Sequence, residues 1–225
     1  MKRVQPVGGR DDSKDLLLLL AEEMKQPLVS IMQLAEVHGV GAGIDIFARQ
    51  ALSTIDSIVL YQRVASGQQS LRLEPVHIGT ALRNVEDSLG GLLQATGCRT
   101  HISMQHALEP VDADHELLLA AIKSLWQGFM SFVPHDSIIF FQARRTSRGI
   151  CVSIKSKEAL LDSVRLTRVN FRSTQPVSAM AGTSADILVA QSIFSLLGAD
   201  LKKVSAQENS GFSVTLPRSK QLELW

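Results

Sequence analysis

The sequence predicts an α+β chain in two parts, a helical hairpin followed by an α/β sandwich. Apolar residues recur with a helical period up to about residue 64, and period-two alternation appears only beyond the polar break "SGQQS" at 66–70. Composition agrees: 45% apolar and 20% charged residues are ordinary for a globular protein, and 225 residues hold one large domain or two small ones. The expected divisions are 1–66 for a hairpin dimerisation domain, 71–217 for the sandwich and 218–225 for a C-terminal tail.

In the first part, Leu17, Leu20, Met24, Ile31 and Leu34 track a heptad over residues 12–38, with Pro27 on a seam position that predicts a kink. Asp12 or Ser13 suits the cap of this helix, and the glycines of "HGVGAG" stop it. A second helix is expected over 44–64, with Phe47, Ala51, Ile55 and Ile58 on one face and Leu52 and Val59 on its shoulder. One partner helix cannot cover such a seam. Pairing with a second copy, giving a dimeric four-helix bundle, is the expected way to bury the remainder; packing on the rest of the chain is the alternative.

In the second part, "LRLEP" reads as a strand, 78–93 as an amphipathic helix and "RTHISM" as a strand. Residues 112–133 read as a helix with acids in its first turns, where they suit the helix dipole. "DSIIFFQARR" and "GICVSIK" form a hairpin across "RTSRG". Residues 159–183 are irregular, 185–197 are helical, and 199–217 close the fold as a hairpin across "ENSG".

Lys+Arg 23 against Asp+Glu 22 leaves no global field to draw the chain to nucleic acid or an anionic membrane. Cys98 and Cys151 form no disulfide framework and lack metal-ligand spacing, which suits a reducing compartment. The longest apolar run, 16–21, is far short of the roughly 20 residues of a membrane span, and the start, with acids between its basic residues and the leucines and no small-residue cleavage site after them, does not read as a signal peptide. A cytoplasmic location is expected.

Five stretches, in order, carry a resemblance: "EEMKQPL", "LRLEPVHIGTALRNVEDSL", "VDADHELLLAAIKSLW", "LLGADL" and "SGFSVTLP". Together they resemble the catalytic half of sensor histidine kinases, a phosphotransferring helical hairpin joined to an ATP-binding sandwich, over about residues 15–217. The resemblance implies a two-component signalling role. It also implies four chemical elements, each testable residue by residue.

The phosphorylated histidine of the family's H-E-[LM]-[RK]-x-P-L falls on Glu22, a far weaker nucleophile toward phosphate, while Glu23, Lys25, Pro27 and Leu28 match the rest. The N-L-x-x-N-A pattern that holds Mg²⁺ falls on "SLWQGF", placing Ser124 and Gly128 at the asparagines; Gln127 rescues the site only if the register slips. The D-x-G-x-G that receives adenine falls on Ser156, Glu158 and Leu160, which read as filling the purine's space. The phosphate-cradling glycine run becomes "GTSADI", retaining Gly182 but placing Ser184 and Asp186 at later glycines, and a carboxylate there repels phosphate.

The resemblance therefore implies a pseudo-histidine kinase: no catalytic residue, no cofactor, and ATP with Mg²⁺ only if the degenerate site still binds. Its implied partners are a second copy and a response regulator receiver domain or another histidine kinase. Glu22, Glu23, Gln26, Ser30 and Ile31 are the candidate contacts. Glu22 reads either as a mimic of phosphohistidine or as a polar residue on a solvated helix face.

Two alternatives stand beside this. The first is a divergent kinase or histidine phosphotransferase using His38, His77, His101, His106, His115 or His135 in a phosphorelay. The second is a nucleic-acid-associated regulator using Arg165, Arg168 and Arg172, with Arg144, Arg145 and Arg148 nearby; without a nucleic-acid fold, a solvated loop is the simpler reading.

Overall fold

The computed structural model describes residues 25, 28, 29, 31, 32, 42–162, 164, 166, 184–206 and 209–219. Glu22, Glu23, Gln26, Ser30, His38, Gly182 and the arginines at 165, 168 and 172 lie outside the described residues. Lys25, Leu28, Val29, Ile31 and Met32 are helical, as the heptad pattern requires.

Helix α1, Ala42–Ala65, is the second arm of the hairpin. Asp45 in its first turn and Arg63 in its last complement the helix dipole, and Asp45 also binds Arg49 one turn on at 2.9 Å. Gly67, at φ +77°, turns the chain out of the helix with the left-handed backbone that glycine adopts without strain. The apolar residues of α1 serve two neighbours. Ile55 and Val59 meet Leu28 of the first helix, while Ile46, Ile58, Tyr61 and Val64 pack on the core of the sandwich. Packing on the rest of the same chain thus occupies part of the seam.

Among the described residues seven strands follow: β1 Glu74–Val76, β2 Arg99–Met104, β3 Val111–Ala113, β4 Ile138–Thr146, β5 Gly149–Ser156, β6 Lys202–Ala206 and β7 Asn209–Leu216. Four helices accompany them: α2 Ile78–Ser88, α3 Gly90–Thr96, α4 His115–Met130 and α5 Ala185–Leu196. Strands β2, β4, β5, β7 and β6 form one sheet in that spatial order, parallel between β2 and β4 and antiparallel elsewhere. Alternate residues of β4, β5 and β7 (Phe141, Val152, Ile154, Phe212 and Val214 among them) face the helices and are buried. Trp126 of α4 lies on Phe141 with ring centroids 4.0 Å apart, and Phe129 meets Phe212 edge to face at 6.1 Å.

Local chemistry explains where the structure departs from the sequence pattern. Leu71 and Leu73 do not form a strand facing the core; they are exposed, and β1 begins at Glu74 to pair with β3. Strand β3 occupies residues the pattern assigned to the next helix, because that helix is capped only at Asp114, whose Oδ1 accepts from the Leu117 N–H at 3.2 Å. Helix 78–93 is divided at Leu89, where "LGG" brings two poor helix formers, and its second piece ends on Gly97 at φ +68°. In the closing hairpin Asn209, Ser210 and Gly211 lie within β7, with Asn209 paired to Ala206. Pairing also runs beyond residue 217: Arg218 bridges to Val111, and the Ser219 N–H bonds to the Pro110 carbonyl at 2.9 Å.

Asp114 does two jobs, since its other oxygen accepts from the Arg72 N–H at 3.0 Å and so anchors the segment after the hairpin to the start of α4. Asp114→Ala should lower stability by about 1–2 kcal/mol. Asp114→Asn, which keeps an acceptor, should lose less; denaturant midpoints of the two variants check the order.

Candidate functional site

The side chains singled out on α4 lie on its last two turns. That helix is apolar nearly all round because the sheet, α1 and α5 cover it, and Ser124, Gln127 and Gly128 are all buried. Ser124 Oγ and Gln127 Oε1 have no hydrogen-bond partner among the described residues, and neither does the Trp126 indole N–H between them in sequence. Each such group costs free energy relative to a solvated or bonded one.

Gly128 marks a close helix–helix approach. A Cβ built on it would stand 2.8 Å from Ile187 Cγ1 and 2.9 Å from the Ile187 backbone nitrogen, at the first turn of α5. The space an asparagine side chain would need at 128 is held by Ile187, which is fully buried.

Ser156, the last residue of β5, is also fully buried. Its hydroxyl donates to the Glu158 carboxylate at 2.7 Å and accepts from the Glu158 N–H at 3.4 Å, a local turn of the kind serine favours. The hydrogen bond from Ser156 is the main reason the Glu158 carboxyl is held below the usual carboxylate range. Glu158 and Leu160 do not fill an internal space, contrary to the sequence reading: both are exposed, Leu160 at 71%. The chain instead turns Leu161 and Val164 into the core, with the Leu160 N–H tied to the Phe132 carbonyl at 2.8 Å.

Asp186 lies in the first turn of α5, where an acid suits the dipole, but its carboxylate is turned to the hairpin. Oδ1 accepts from the Thr54 hydroxyl of α1 at 2.5 Å, and Gln50 bonds the same carboxyl. Burial pushes the Asp186 carboxyl above its ordinary value, and these two hydrogen bonds oppose the rise without cancelling it. Thr54, Gln50 and Ile187 were not singled out from the sequence. They belong to helical faces whose neighbours only the tertiary structure specifies.

The remaining candidates are dispersed. Ile31, one of the expected partner contacts, is 42% exposed. His77, His101, His106, His115 and His135 are all exposed, and no group of three metal-ligating side chains occurs among the described residues. Arg144 and Arg148 are exposed, whereas Arg145 pairs with Glu109 at 3.1 Å. Among the described residues no helix is long and apolar enough to cross a membrane.

No family model matches the sequence, and no curated relative matches it. Solved structures do. The histidine kinase AdeS of Acinetobacter baumannii aligns with a TM-score of 0.58 at 12% identity, over 87% of this chain and 97% of that one. Full-length ShkA in complex with AMPPNP aligns at 0.60 and 14% identity, over 91% of this chain and 46% of that one. A histidine kinase from Burkholderia phymatum aligns at 0.52 and 16% identity, over 95% of this chain and 100% of that one. The fold is that of the histidine kinase catalytic core.

Two outcomes follow. Gly128→Ala would raise stability by about 0.5–1 kcal/mol in an open helix, but against Ile187 it should lower it by about 1–3 kcal/mol; thermal melting reads the sign. For Asp186, a folded pKa above the unfolded one means stability present at low pH and lost as pH rises from about 3.8 through the folded value. Asp186→Asn should therefore gain on the parent as pH rises, and the two should converge in acid; urea midpoints across pH measure the gap.

Proposed function

We propose that this chain, built on the fold of the histidine kinase core, works by protein interaction rather than by phosphoryl transfer. In this reading it is a pseudo-histidine kinase that dimerises through its helical hairpin and docks a response regulator receiver domain, or another kinase, beside Glu22, Glu23 and Ile31. The observation that carries the reading is Ile187 seated against Gly128.

Mg²⁺ held with ATP phosphates needs oxygen ligands on the exposed side of the helix. Here Ser124 is fully buried, Gly128 has no side chain, and Asp186 bonds the hairpin. These residues do not fit the ion or the nucleotide. The family's imidazole nucleophile is replaced by a carboxylate at Glu22, so the loss at the acceptor position and the misfit at the nucleotide position point the same way.

For docking, the first helix keeps what an interface uses. Ile31 and Val29 are exposed apolar side chains, and Lys25 is held to Asp56 of α1 at 2.8 Å, which fixes the first helix against the second. The apolar residues of the first helix beyond its contact with Ile55 and Val59 supply the dimer seam in this reading.

Incubation with radiolabelled ATP should leave no acid-labile label, and sedimentation should give twice the 24.5 kDa chain mass. A panel of receiver domains from the same genome should contain a binder whose affinity falls about tenfold or more with Ile31→Asp. Label on a histidine, or a monomer that retains no receiver, would sink the proposal.

A further inference from the structure

A cleft of about 460 Å³, well within the size of small-molecule sites, is lined by Met32 of the first helix and by residues of α1, α2 and α4. One part of its wall is apolar, formed by Met32, Leu52, Leu60 and Ala120; the other carries Arg49, Ser53, Asp56 and Lys123. Among the described residues the charges lining the cleft leave one cation without an ion pair. Arg49 binds Asp45 at 2.9 Å, and Asp56 binds Lys25 at 2.8 Å, so the acids near the cleft already have cations of their own.

Lys123 is left as the surplus charge. It is half-buried on α4, and burial pushes its ammonium below the usual lysine range, with Asp56 only partly opposing this. A half-buried ammonium that only shares a carboxylate, here Asp56 already paired with Lys25, costs free energy that a bound anion would recover. The serine hydroxyls at the site differ in readiness. Ser57 donates to the Ser53 carbonyl at 3.0 Å and Ser88 to the Val85 carbonyl at 2.8 Å, whereas the Ser53 hydroxyl makes no such bond among the described residues.

We propose that this cleft binds a small monocarboxylate with a short aliphatic chain, the carboxylate on Lys123 and Ser53 and the chain against Met32, Leu52, Leu60 and Ala120. One surplus cation suits one negative charge. Asp56 on the same wall disfavours a second, which argues against a phosphate monoester or a dicarboxylate. The site touches both hairpin arms and the sandwich, so an occupant would bear on how they pack.

Calorimetric titration of the full chain with hexanoate tests it, with hexanol and hexylammonium as probes of the same length. Hexanoate should bind saturably, about tenfold or more weaker in Lys123→Met, whose unchanged melting profile would show that the variant folds. Ala120→Val, which narrows the apolar end and leaves Lys123 in place, should weaken hexanoate too. Absence of saturable hexanoate binding, equal binding of hexanol or hexylammonium, or affinity unchanged in Lys123→Met would overturn the proposal.

Discussion

Helix α5 can lie as close to α4 as it does only because residue 128 has no side chain. At that crossing the Ile187 side chain and backbone nitrogen fill the volume any Cβ at 128 would occupy, so the approach is fixed by backbone as well as by packing. Consequences run outward from it. Ile187 is seated in the core with Phe129 and Phe194, and Asp186, one residue earlier, is carried to α1, where it meets Thr54 and Gln50. The crossing that closes the sandwich thus also sets where the hairpin rests on it.

This arrangement has a polar cost. A carboxyl is buried at Asp186, and Ser124 Oγ, Gln127 Oε1 and Trp126 Nε1 are enclosed without partners among the described residues. Such costs are tolerated where surrounding apolar burial is large, and α4 packs in the same core as Phe141, Phe212 and the buried isoleucines of β4 and β5.

Much of the fold was legible because its strands alternate and its helices repeat. "SIIFFQAR" and "GICVSIK" each bury every second residue and pair as the expected hairpin, while "RTHISM" is the expected strand, half-buried at Thr100 and Ile102. What escaped was short or ambiguous. Strand β3 has three residues beside a capping acid, and Leu71 and Leu73 alternate like a strand but find no layer to face. At the site, the sequence reading identified Gly128, Ser156 and Asp186 as departures from a resemblance, but not what replaces the missing groups. At Gly128 and Asp186 that depends on Ile187 and Thr54, which approach from distant segments and leave no local periodic trace. Leu160 reads as filling space from motif spacing alone, and spacing does not say which side chain turns inward: Leu161 is buried and Leu160 exposed.

The central claim is that the α4–α5 crossing and the buried serines leave no seat for Mg²⁺ and ATP. Equilibrium titration of the intact chain with ATP in saturating Mg²⁺, followed by calorimetry, addresses it most directly. The account predicts no saturable heat up to millimolar nucleotide, of the order of cellular ATP. Stoichiometric binding with a dissociation constant of about 1–100 μM, about 5–8 kcal/mol of binding free energy, would contradict it.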